Sequence, residues 1–179
     1  MIGVIVFLIF SLSVAAALFL LVRGRARPVS DWDALPDAIE AVDVEAFRNL
    51  TDPAEDTWLR SQLPPRDYAQ ILRERRAATA DYLGRAKRNA AILVRLGQAA
   101  AQSPDPALAA AGRQLVTTAM RTRLYTLQAT VRLKAASVMP LAPGSIASVT
   151  EQYQALRNGA DRVSRLRSPV LAARMTAAM

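Results

Sequence analysis

The first 22 residues, MIGVIVFLIFSLSVAAALFLLV, carry no ionisable side chain and end directly against Arg23, Arg25 and Arg27. As a helix rising 1.5 Å per residue this run measures about 33 Å, and a hydrocarbon core is about 30 Å thick. The sequence therefore predicts one membrane-spanning helix over residues 1–22. A cleaved secretory leader fits less well. Nothing basic precedes Ile2, and a cut after Ala15–Ala17 would fall inside the apolar run, which is itself longer than the usual leader core. A buried helix of a water-soluble core would show a polar stripe, and none is present. Lys and Arg beside a span stay on the cytoplasmic side. The expected placement is a bacterial inner (plasma) membrane, with a short amino terminus outside and residues 23–179 in the cytoplasm. Gly3, Ser11, Ser13 and Ala15–Ala17 are small enough to let another spanning helix approach closely.

The remaining residues suffice for one domain with its own core. Gly is scarce and β-branched runs are nearly absent after Val22, so the expected fold is all-α. The chain has no Cys and no His. Disulfides, thiolate and imidazole metal ligands, and the common neutral-pH acid–base group are thereby excluded.

Charge divides the body in two. From Asp31 to Asp67 ten acidic residues stand against Arg48, Arg60 and Arg66, a net of −7. From Arg73 to Met179 seventeen basic residues stand against five acidic ones, a net of +12. Either the two halves neutralise one another within the chain or the basic half meets an acidic partner.

Residues 23–36 read as a juxtamembrane linker interrupted by Pro28 and Pro36. Trp32 within it suits either the membrane interface, beside Arg23, Arg25 and Arg27, or a docking site on the body. The body is expected over 37–179. Ile39, Val42, Ala46, Phe47 and Leu50 fit one helical face, and Asp52-Pro53 opens a further short helix. Glu55 and Asp56 then fall in the first turn, where carboxylates favour the exposed amides; that accounts for the acidic cluster without a metal. A long helix follows over about 65–102, with Tyr68, Leu72, Thr79, Leu83, Ala86, Ala90 and Leu93 on its core side. Its outer positions carry Arg73, Arg76, Arg85, Lys87, Arg88 and Arg95, the candidate contacts for a partner or for lipid.

Ser103-Pro104-Asp105-Pro106 breaks the chain, with Ser103 read as the next cap. The helix beyond it reaches about Met139 and shows two apolar sides, one through Leu108, Leu115, Ala119 and Ala129, the other through Leu124, Leu127, Val131 and Val138. So short a break folds the two helices into an antiparallel hairpin. After Pro140 and Pro143-Gly144, the residues Ile146, Val149, Tyr153, Leu156, Ala160 and Val163 keep spacings of three and four without a miss, to about Arg167. Ser168-Pro169 caps a last short helix. The predicted architecture is the spanning helix followed by this hairpin, extended to a three- or four-helix bundle.

Catalytic patterns are missing. Bundle metal sites need Glu and His at helical offsets, the seven Gly form no phosphate loop, and no Ser or Thr pairs with an evident base. No enzyme activity, cofactor or small-molecule substrate is expected. Few aromatics and no reader motif argue against nucleic acid. The expected role is a non-catalytic accessory, structural or assembly subunit of a larger inner-membrane complex, with respiratory and photosynthetic assemblies among the hosts that fit. Its partners would be other integral membrane subunits and anionic lipid head groups. The alternative is a membrane-tethered signalling or adaptor protein whose basic bundle recruits a soluble partner or anionic lipid.

Overall fold

A computed structural model describes residue 32 and residues 34–135 and 144–179. The expected spanning helix, the arginines at 23, 25 and 27, and the ends of the stripes at Val138 and Met139 lie outside the described residues. Among the described residues no helix is long and apolar enough to cross a membrane.

The described chain is all-α. A 3-10 turn, Pro36–Ala38, leads into six helices: α1 Val44–Leu50, α2 Pro53–Gln62, α3 Pro65–Ala101, α4 Pro106–Ala135, α5 Gly144–Arg167 and α6 Pro169–Ala178. The hairpin of α3 and α4 forms as expected, α5 packs along α4 and touches α3, and α6 folds back on α5. The short α1 fills the remaining side between α3 and α5.

Capping chemistry sets the boundaries. Asp52 accepts from the Ala54 N–H at 2.8 Å and Pro53 begins α2, as the sequence predicts. The start of α4 differs. Asp105, not Ser103, caps it by accepting from the Ala107 N–H at 2.8 Å, and Pro106 rather than Pro104 is its first residue. The Ser103 hydroxyl instead accepts from the Asp105 N–H inside the turn. The larger departure is at 39–43, where the expected helix is an extended strap and α1 begins only at Val44, capped by Asp43 through the N–H groups of Glu45 and Ala46.

The core follows the predicted stripes. Thr79, Leu83, Ala86, Ala90 and Leu93 of α3 are buried, as are Leu108, Leu115, Ala119 and Ala129 of α4. Val149, Tyr153, Leu156, Ala160 and Val163 are the most completely covered row, each at most 1% exposed. A glycine pair brings α3 and α4 closest beside their turn. A Cβ on Gly97 would lie 2.8 Å from the Gly112 carbonyl oxygen, and one on Gly112 only 2.5 Å from the Ala101 nitrogen. Two backbones can meet this closely only where neither residue has a side chain. The second apolar side of α4 stays partly open, with Leu124 41% and Val131 59% exposed.

Candidate partner-binding surface

The acidic and basic segments meet within the chain. Asp37 takes both oxygens to Arg174 of α6 at 3.0 and 3.1 Å, Glu40 pairs with Arg88 of α3, and Glu55 pairs with Arg75 of α3 at 3.3 Å. Where the first of these segments crosses α3, one buried side chain organises the contact. Asn89 is fully buried; its Oδ1 accepts from the Glu40 N–H at 2.9 Å while its Nδ2 donates to the Glu40 carbonyl at 2.6 Å. The carboxamide thus satisfies both backbone groups of one residue, as a neighbouring strand would, and holds the strap extended. The same Nδ2 donates to the Tyr153 hydroxyl at 2.7 Å, tying α3, α5 and the strap at one point.

Around that point Arg88 donates to Glu40 through both Nε and Nη2, and Arg85 donates to the Ala41 carbonyl at 3.4 Å and to Asp81 at 2.9 Å. The hydrogen bond from Arg88 holds the Glu40 carboxyl below its usual range, and Glu40 in turn raises the Arg88 guanidinium. Burial pushes the Tyr153 hydroxyl up, with the Asn89 bond pulling the other way. Further along α3, Arg75 donates to the carbonyls of Asn49 and Leu50 at 3.1 and 3.0 Å, closing the end of α1.

The six cations singled out on α3 therefore do not share one task. Arg85 and Arg88 hold the strap, Arg76 is half-buried, and Arg73, Lys87 and Arg95 are exposed. Trp32 packs partly buried against the main core, with the Arg167 guanidinium 5.2 Å from its ring centroid. Leu35 and Pro36, the end of the expected linker, are buried there too. Sequence reasoning missed Asn89, because a lone Asn inside a helix reads as a weak helix former. Its only signal is position: it sits beside Ala90, in the core stripe.

One exposed strip lies on α4, which contains no acidic residue from Pro106 to Ala135. Exposed Leu124 and Val131 and half-buried Leu127 lie at spacings of three and four, with exposed Arg121 and Arg132 on the adjoining strip. Inward, the threonines of the same helix are spent on backbone: Thr122 donates to the carbonyls of Thr118 and Gln152, and Thr126 to that of Arg123. Comparison with protein-family models, with curated proteins and with solved structures finds no match.

Proposed function

We propose that the chain is a membrane-anchored, non-catalytic accessory or assembly subunit of a larger inner-membrane complex, with its helical body on the cytoplasmic side. The reading is carried by one feature, the uncharged run Met1–Val22 closed by Arg23, Arg25 and Arg27. It is supported by a body whose buried polar side chains at Asn89, Thr122, Thr126 and Ser164 are spent on internal hydrogen bonds. The partly open Leu124–Val131 side of α4 and the exposed cations of α3 give neighbouring subunits or anionic head groups a surface to meet. Solubilising membranes in a mild detergent and identifying what co-purifies tests it. Membrane proteins in fixed ratio are expected. Recovery of the chain alone at every ionic strength would overturn the reading.

A second reading, a membrane-tethered adaptor for a soluble partner, is favoured by the wholly basic α4 beside its exposed apolar strip. A soluble acidic protein that leaves on raising the salt would select it.

A further inference from the structure

Along α5 the residues Thr150, Gln154, Arg157 and Asp161 follow at spacings of four, three and four. At 3.6 residues per turn they occupy one strip, roughly 60° wide. Thr150, Gln154 and Arg157 of this strip wall a groove of about 750 Å³ facing residues 41–48, with Met179 also in its lining. Gln154, Arg157 and Met179 also line a second hollow of about 220 Å³, which continues the groove toward Asp161 and α6.

Two polar atoms along this strip are buried without a hydrogen-bond partner, Thr150 Oγ1 and Asp161 Oδ1. Thr150 as a whole is 8% exposed, and native folds seldom leave such groups unpaired. The other carboxylate oxygen of Asp161 is taken by Arg165 at 2.8 Å, so Oδ1 is an acceptor awaiting a donor. Between the two positions Gln154 donates to Asn158 at 3.3 Å, a weak exposed bond that a better partner would displace.

The separation of the two unpaired atoms sets the length of an occupant. Eleven residues of helix span about 17 Å, which an extended chain covers in about five residues. The charges set its character. Asp43, Glu45, Glu151 and Asp161 stand among Arg48, Arg157 and Arg165 around the groove, whereas a phosphate-rich occupant calls for one sign throughout. The wall contributed by Val42, Val44 and Met179 is apolar and, at Met179, adaptable. The fold also holds one extended segment already through a helix-borne carboxamide, that of Asn89.

We propose that this groove binds an extended segment of a partner protein, about five residues long and carrying charges of both signs. The carboxamides of Gln154 and Asn158 grip its backbone, Asp161 Oδ1 accepts a donor from it, and the Thr150 hydroxyl turns to meet its other end. The inference rests on the reading of the body as a docking platform and supplies the chemistry of what docks.

The test presents the full chain, in detergent micelles, to phage-displayed random heptapeptides, then measures synthetic copies of the enriched sequences by fluorescence anisotropy. Thr150→Val and Asp161→Ala are each expected to weaken binding about three- to tenfold, the worth of one hydrogen bond. Thr150→Val alone is also expected to leave thermal stability unchanged or raised, because it removes an unpaired buried hydroxyl without changing the side chain's shape. No enrichment, affinities indifferent to both substitutions, or enriched peptides that need helical i, i+4 anchors would each overturn the proposal. A chain that co-purifies with membrane proteins yet binds no peptide refutes the groove alone. A chain isolated alone that still binds peptide through Thr150 and Asp161 refutes the accessory-subunit reading instead.

Discussion

The segment 34–50 and the helix α2 that follows it are alike in sequence and opposite in structure. Both are acidic, both are short, and each helix starts on an Asp cap. Yet the first buries Leu35, Ile39, Val42 and Phe47, while α2 buries no residue and leaves Trp58 60% exposed. Capping and propensity are enough to shape a helix of this length only while something else holds it. For α1 that support is the core around Leu83, Ala129 and Val149, with the rings of Phe47 and Tyr82 5.5 Å apart and tilted by 30°. For α2 it is a hydrogen bond from the Tyr68 hydroxyl to Asp56 and the pair of Glu55 with Arg75. An apolar side chain stabilises where a facing surface receives it, and amphipathic spacing by itself does not provide one.

Substitutions can break this contrast in graded steps. Truncating Phe47 to Ala removes an aromatic that is 3% exposed and should cost about 3–5 kcal/mol. For a chain of this size that lowers the melting temperature by roughly 10 °C, read by circular dichroism. Asn89→Ala comes next. It orphans the N–H and carbonyl of Glu40 and the Tyr153 hydroxyl, for about 2–3 kcal/mol, and amide exchange at 39–43 should accelerate far more than exchange in α4.

Acid acts more gently, through Glu40. Its folded-state carboxyl lies below the usual value of 4.5, so the unfolded chain takes up the proton first. The contribution of the pair with Arg88 is therefore complete above that value and disappears as pH falls through the lowered one. Stability of the wild type and of Glu40→Gln should converge on acidification, and the absence of any difference at neutral pH would assign the strap's hold to Asn89 alone. Both partners are substantially exposed, so added salt should shrink the same difference. Trp58→Ala should matter least to the isolated chain, within about 0.5 kcal/mol by the same thermal melt. A larger loss would show that α2, like α1, is covered in solution.

The legible part of the fold was local. The stripe of α5 and the Asp-Pro start of α2 could be read directly, because helix phase and caps are set by residues at most four apart. The α4 cap was misplaced by two residues, since Ser103-Pro104 and Asp105-Pro106 offer the same chemistry and only the turn geometry selects between them. Of the candidate surface, the exposure of Arg73, Lys87 and Arg95 agrees with their outer positions. The internal use of Arg85 and Arg88 could not be read from α3, because their partners lie 44 and 48 residues away.

The sequence by itself determined an all-helical body, the hairpin, and the separation of acidic from basic residues, since each follows from composition, period and short breaks in the chain. Tertiary structure alone decided that residues 39–43 leave the helix, that the two charged segments close on one another, and that α2 stays outside the core. The physical reason is distance along the chain. A buried carboxamide at Asn89 satisfies a backbone 49 residues earlier, and no local rule of helix formation reaches that far.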